Sequence, residues 1–527
     1  MTNAPRPRTA RNSGQRRLVA AMTKLMTATS TGLRSLMLIL GISGTAILSP
    51  SMAQSTDAAP DRSTVSAPAA ARELTIDAQA AAERLAGAVR IRTISLDDQP
   101  APSAVFRELH DYIARQYPNL HRVLRREIVN GSSLLYTWQG SDPKSPSILL
   151  LAHQDVISVE PGTETQWQHA PFSGDIADGY IWGRGSWDDK GNLFSMLEAV
   201  ELLVSRDFKP RNTIYLAFGH DEETGPTAGQ HGAHEIAALL NGRGVHVATV
   251  LDEGLLISHE AMKGLDKPVA LIGIAEKGYV TLDLSTEAAA GHSSMPPTRM
   301  AIGRLSAALT RIEQHPFPPR ISPIIGEMLE TLAPEFHGIS GMALSNLWLF
   351  EPFVLRQMAA TPGGNAMLHT TIALTTVQAG ISDHALPAQA KATVNFRTMP
   401  GDSIQDVISH TIEAVDDASV HVVPSGIAWE SSLTSSTHSP GYQQLSQTIQ
   451  DVFPGVLVAP GLMVGATDSR HYLGLADDVY RFTPVHALPD DLPRFHGANE
   501  RLSIANYADM IRFYVQLLSR PGGEKSR

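Results

Sequence analysis

A mostly parallel α/β sheet flanked by helices, with a smaller α+β domain inserted into it, is the fold this sequence predicts. Three observations carry that reading. Between residues 75 and 278, short uninterrupted apolar runs alternate with segments of helical periodicity. Near residue 279 the runs change to alternating apolar and polar residues, and the first pattern resumes after about residue 428. Acidic residues and histidines stand just past several of the apolar runs.

The elements follow in chain order. Ile76 to Val89 and Val105 to Tyr117 place apolar residues near every third or fourth position, the period of an amphipathic helix. Ser147 to Ala152 is a continuous apolar run, as a strand buried on both faces requires. A helix over Leu193 to Val204, a strand over Thr213 to Phe218, a helix over His231 to Leu240 and a strand over Val247 to Leu251 continue the alternation. Tyr279 to Ser285, Thr370 to Val377 and Ala390 to Arg397 alternate like half-exposed strands, and Val420 to Val423 adds another. Ala301 to His315 and Ser403 to Val415 are the helices of the insertion. Residues 318–366 are Pro-rich and apolar, with Trp348, Phe350 and Phe353 close together. They are read as core of the inserted domain, with a pocket wall for an apolar acyl or side chain as the alternative. The last helix is Ile504 to Leu518. The main domain thus comprises 75–278 and 428–520, and the insertion 279–427.

The 527 residues are 43% hydrophobic and 18% charged, enough for a large core and more than one domain. There is no cysteine, which excludes disulfides, thiolate metal sites and thiol nucleophiles. Residues 1–53 hold seven Lys/Arg and no Asp or Glu; the 15-residue apolar run Ser35 to Ser49 and the small-residue site Ser51-Met52-Ala53 follow. This is the pattern of an export signal peptide, an uncleaved anchor being the alternative. Residues 54–74 are read as a flexible linker. The mature protein is then periplasmic or secreted, with no stable membrane span. Loss of the seven cations takes the formal net charge from −11 to −18, which disfavours nucleic acid as a partner.

Several motifs carry chemistry. His153 and Asp155 lie two apart after a strand, so that His153 can bind a metal while Asp155 orients its imidazole. Asp188, in Asp188-Asp189-Lys190-Gly191, can bridge two metals with its two oxygens. Of the adjacent pair Glu222 and Glu223, Glu223 is assigned as ligand and Glu222 as general base. Asp252 and Glu253 follow the third strand; chemistry does not separate them, and Asp252 is favoured as ligand. His496 supplies the fifth ligand from a loop before the last helix. Each motif alone also fits a solvated turn or a hydrogen-bonded histidine. Together they gather ligands at the carboxyl ends of parallel strands, where open α/β sheets bind ligands.

These residues resemble the co-catalytic zinc peptidase family of aminoacylase, glutamate carboxypeptidase, acetylornithine deacetylase and succinyl-diaminopimelate desuccinylase. They are most like its branch of carboxypeptidase S and secreted N-acyl-amino-acid hydrolases. The matching stretches are Gly219 to Glu223, Glu276-Lys277-Gly278, Gly291 to Pro297, Gly465 to His471 and His496 to Glu500. The resemblance implies a zinc-exopeptidase-like catalytic domain with an inserted lid or dimerisation domain. It implies two Zn²⁺ per subunit on His153, Asp188, Glu223, Asp252 or Glu253, and His496, with Glu222 as acid/base and Asp155 as the second catalytic carboxylate. His292 matches an oxyanion-stabilising histidine that in dimeric members reaches the partner's site, so a homodimer is expected. Arg470 and Arg397 match contacts to a substrate carboxylate; Thr467, beside Arg470, is counted with them. Asn is frequent in the family where His384 stands, and His384 is taken as its replacement in the substrate pocket.

The expected activity is hydrolysis of an amide next to a C-terminal free amino acid, as a carboxypeptidase or N-acyl-amino-acid amidohydrolase. A dipeptidase or aminopeptidase on the same metals is the alternative, and a non-catalytic binding protein the more distant one.

Overall fold

The computed structural model describes residues 75–96, 100–225, 229–259 and 264–520. The expected signal peptide and linker lie outside them. Among the described residues, no helix is long and apolar enough to cross a membrane.

The continuous apolar run becomes β3, Ser147–His153, buried from Leu149 onward. Before it come α1 (Ala78–Val89), α2 (Ser103–Gln116), β1 (Arg125–Val129) and β2 (Ser133–Trp138). After it come α3 (Lys190–Ser205), β4 (Ile214–Gly219), α4 (Ala233–Gly242), β5 (Val247–Ser258) and β6 (Val269–Glu276). Next are β7 (Gly278–Glu287), α5 (Ala301–Gln314), α6 (Pro323–Leu332), α7 (Leu347–Met358), β8 (Thr371–Ala379), β9 (Gln389–Thr398), α8 (Ile404–Val415) and β10 (Val420–Trp429). The chain closes with α9 (Pro440–Val452), β11 (Leu457–Met463), β12 (Ala476–Ala487) and α10 (Ile504–Ser519).

The large sheet has eight strands in the order β11-β6-β12-β5-β3-β4-β2-β1. β3 runs parallel to both β4 and β5, β5 to β12, and β6 to β11. Helix α3 is buried from Lys190 to Val200, which is why its polar face is so thin. It joins α1 and α10 in one core layer, while α4 packs with Leu149, Leu151 and Ala217 in another. The four-stranded sheet has the order β8-β9-β7-β10, with α5 and α8 over its own core. Helix α8 starts at a Ser403/Asp406 capping box, which satisfies two otherwise unpaired backbone donors.

Residues 318–366 depart from the expectation. Ile324, Ile325, Met328, Leu329 and Leu332 of α6, and Val354 of α7, belong to the core of the large sheet, not that of the four-stranded one. The reason is that α6 lays its apolar face on β11, an edge strand that would otherwise stay uncovered. Trp348 and Phe353 point outward, 82% and 46% exposed. Neither they nor Phe350 line the cavity of this chain that carries the acidic cluster described below.

Candidate active site

The site is built at the ends of β3 and β4 and at an irregularity within β5. His153 closes β3, and Glu222 and Glu223 follow β4. Asp188 precedes α3, and His496 comes from the loop before α10. One carboxylate joins the two histidines: Asp188 Oδ1 is 3.0 Å from His153 Nε2 and Oδ2 is 2.8 Å from His496 Nε2. Glu253 Oε1 lies 3.4 Å from His153 Nε2, and Glu223 Oε1 lies 3.2 Å from His496 Nε2. Three donor groups result, His153/Asp188/Glu253, Asp188/Glu223/His496 and His153/Glu222/Glu223, each with ligand atoms within 4.8 Å of one another. The first two share Asp188, as two metals bridged by one carboxylate would require.

The residues fit such a pair of ions. Glu223 Oε1 is buried with no hydrogen-bond partner among the described residues. The donors are imidazole nitrogens and carboxylate oxygens only, a set that suits borderline and hard divalent ions. Crowding shows in the proton affinities. Burial, reinforced by Asp188, pushes the Glu253 carboxyl up to about 8 against the pull of His153. Burial, with Glu223 and Glu253 nearby, drives Glu222 well above the carboxylate range although His153 opposes it. Burial would lower His496, but its hydrogen bond to Asp188 and the Glu223 carboxylate 3.2 Å away outweigh this and raise it to about 11. A multivalent cation relieves the repulsion behind the raised carboxyls.

Asp155 acts on both halves of this arrangement. Its backbone carbonyl is 3.0 Å from His153 Nδ1 and its carboxylate 3.4 Å, and that carboxylate accepts the backbone N–H groups of Glu222 and Glu223 at 3.2 and 3.1 Å. It therefore orients an imidazole and fixes the turn that carries the two glutamates. Glu500, which sequence reasoning left unassigned, clamps the loop before Asp188. It accepts from the N–H groups of Gly185, Trp187 and Asp188 and pairs with buried Arg184. Arg184 in turn donates to the His496 carbonyl, holding that residue at φ +59°, a left-handed backbone few non-glycine residues adopt. A buried carboxylate four residues before α10 closes the His496 to Glu500 stretch, but residue type alone gave it no role.

The choice between Asp252 and Glu253 falls to Glu253, against the expectation. Asp252 stays in register opposite Arg481, but the next paired residue is Leu255 opposite Phe482. Glu253 and Gly254 form a bulge, with Gly254 at φ +150° and its Cα close against Arg481, where a Cβ would come within 2.8 Å. The bulge turns Glu253 into the cavity. Asp252 points the other way and accepts the Ser469 N–H at 2.7 Å.

A model of peptidase family M20/M25/M40 matches residues 149–520. The chain belongs to that family. It is 40% identical over 439 residues to the N-fatty-acyl-amino acid synthase/hydrolase PM20D1 of Xenopus tropicalis, covering 83% of this chain and 85% of that protein. It is 32% identical over 490 residues to carboxypeptidase S of Saccharomyces cerevisiae, covering 83% of each. An M20 family metallo-carboxypeptidase from Sulfolobus solfataricus shares the fold, with a TM-score of 0.60 at 16% identity over 84% of this chain and 99% of that one. This M20 chain is a metal-dependent hydrolase.

The M20 cavity above the donor cluster has a volume of about 800 Å³. Glu222, Glu223 and Glu253 line its floor side, and Tyr279, Arg397 and Trp429 come from the ends of β7, β9 and β10. Gly278 permits this junction: a Cβ there would meet Thr398 Oγ1 at 2.2 Å and the Ser431 N at 2.6 Å. In register, Tyr279 pairs with Arg397 on one side and Trp429 on the other. The side chains stack accordingly. The Arg397 guanidinium sits 4.8 Å from the Tyr279 ring centre, and Tyr279 and Trp429 stack at 4.6 Å and 13°. The Arg470 guanidinium lies 4.6 Å from the Trp429 ring centre.

The remaining expected contacts do not meet in this cavity. Thr467 is buried with its hydroxyl on Glu276, 3.0 Å away, and on Ser469; it builds the loop and does not line the cavity. Arg470 donates to the Thr467 carbonyl and reaches the site through its stack on Trp429. His292 and His384 are both exposed, on neighbouring chain segments where Gly291–His292 pairs with Ala385–Leu386. Neither lines the cavity of its own chain. Register and stacking at Trp429 escaped the sequence because β10 runs six residues beyond the expected Val423.

Proposed function

We propose that this enzyme hydrolyses the amide of an N-acyl amino acid or the last peptide bond of a short peptide, with two zinc ions held by His153, Asp188, Glu223, Glu253 and His496. The carrying observation is Arg397. It lines the cavity beside Glu222, has Nη1 buried without a hydrogen-bond partner among the described residues, and places its guanidinium 4.8 Å from the Tyr279 ring centre. Burial lowers its pKa although Tyr279, Glu276 and Glu222 pull the other way. A substrate carboxylate supplies a direct ion pair and fits the guanidinium fork. The metals, when bound, polarise a carbonyl and acidify a water. Glu222, at the cavity floor, takes a proton from that water and passes it to the departing amine. Asp155 keeps the His153 ring and the Glu222 backbone in place. Arg397 holds the free carboxylate and so directs cleavage to the bond one residue away from it.

PM20D1 and carboxypeptidase S, whose names describe an N-fatty-acyl-amino acid hydrolase and a carboxypeptidase, support this pair of substrate classes. The test is amino-acid release by residues 54–527 with zinc, from N-acyl amino acids and from dipeptides with free or amidated C-termini. Turnover restricted to free carboxylates and lost in Glu222→Ala supports the reading; equal turnover of amidated substrates removes it.

The exposed position of His292 supports a homodimer in which it stabilises the oxyanion of the partner's site. A monomer in solution, with full activity in His292→Ala, would contradict this. Export to the periplasm or medium remains part of the proposal and is checked by fractionating cells that express the full chain.

A further inference from the structure

The geometry points to Trp429 as a specificity-determining residue: we propose that its indole N–H and Arg397 together hold the substrate's carboxylate. The proposal rests on the hydrolase reading above and adds a residue to it.

Two observations converge. Trp429 Nε1 and Arg397 Nη1 are both buried donors without an acceptor among the described residues, and both residues line the cavity. Indole has a single donor and no acceptor, so a buried Nε1 without a partner has nothing else to offer. Buried donors in native proteins are nearly always satisfied, and two unsatisfied ones in one cavity call for a ligand rich in acceptors. They also flank one ring: Trp429 and Arg397 sit 4.6 and 4.8 Å from the centre of Tyr279, on the strands either side of it. A carboxylate laid across the edge of Tyr279 can give one oxygen to each. The stack keeps both donors rigid before substrate arrives, with Arg470 closing the far face of Trp429. An amidated substrate, which presents an N–H₂ where an acceptor is needed, leaves one donor unsatisfied.

Trp429→Phe tests this because it keeps a stacked ring and removes only the N–H. N-acetyl-L-phenylalanine and its C-terminal amide are titrated calorimetrically into the Glu222→Ala protein, with and without Trp429→Phe. KM and kcat are measured for the same change in the otherwise wild-type enzyme. The expected result is affinity for the acid weakened about tenfold, amide affinity unchanged, KM raised about tenfold and kcat held. Unchanged acid affinity overturns the proposal. So does an equal loss for acid and amide in a protein that melts early, since that is what a merely structural stack would give. Failure of the hydrolase reading looks different: the wild-type enzyme then turns over none of the substrate panel.

Discussion

The two sheets divide the labour of the cavity. The large sheet brings acidic and imidazole groups to the carboxyl ends of β3 and β4 and to the bulge of β5, with the Glu222/Glu223 turn and Asp188 held by backbone N–H bonds to buried carboxylates. The four-stranded sheet brings a half-buried cation and two aromatic rings, with buried donors that find no partner among the described residues. One region gathers donors for metal ions; the other, in the proposed reading, awaits a substrate carboxylate. The contrast teaches that the metal donors and the proposed carboxylate contacts sit on two different sheets, which meet where β6 passes into β7 through Glu276, Lys277 and Gly278.

Changes on the two sides should therefore separate into kcat and KM. The largest effect belongs to the floor. Glu222→Gln should lower kcat by about 10³-fold or more with two metals still bound, measured by turnover alongside metal analysis. Loss of metal together with activity would move Glu222 from the base to the ligand set. Next, Glu253→Ala should remove one metal and most activity, whereas Asp252→Asn should keep both metals and lose part of its stability through the Ser469 contact; equal metal loss would undo the distinction drawn by the bulge. On the other sheet, Arg397→Ala should raise KM for free-acid substrates about 100-fold with a smaller change in kcat, and leave metal content untouched. A fall in kcat alone would place Arg397 with the floor.

The smallest effect is on stability without metal. Burial raises Asp252 to about 6 and Glu253 to about 8, so between the ordinary carboxylate range and those values the folded protein holds protons that the unfolded chain has released. Stability of the metal-free protein should then fall as pH rises from about 4.5 to about 8. His496 acts in the same direction, since its raised folded value makes its contribution full below about 6.5 and lost towards 11. Thermal melts with chelator should show a falling Tm across this range, and added zinc should flatten it. A Tm that rises with pH in chelator would mean that the carboxylates do not repel as placed.

Much of this was legible in the sequence for a physical reason. Buried parallel strands must be continuous apolar runs, so β3, β4 and the start of β5 announced themselves, and ligands directly after them pointed to the sheet's carboxyl edge. Asp188 as the bridging group, and His153, Glu223 and His496 as its neighbours, needed only residue chemistry and order. Residue type and order do not encode side-chain direction. A two-residue bulge chose Glu253 over Asp252, and a loop hydroxyl took Thr467 away from the cavity. Cross-strand register stacked Tyr279 between Arg397 and Trp429, which lie 118 and 150 positions further along the chain (397 − 279 and 429 − 279). Apolar composition also could not say which sheet α6 would cover, because burial is non-directional and the uncovered edge strand β11 lies more than a hundred residues later in the chain. The sequence by itself determined the reaction class and its acidic core; only the tertiary structure decided which groups face the substrate, since that depends on bulges, register and layer contacts formed by residues far apart in the chain.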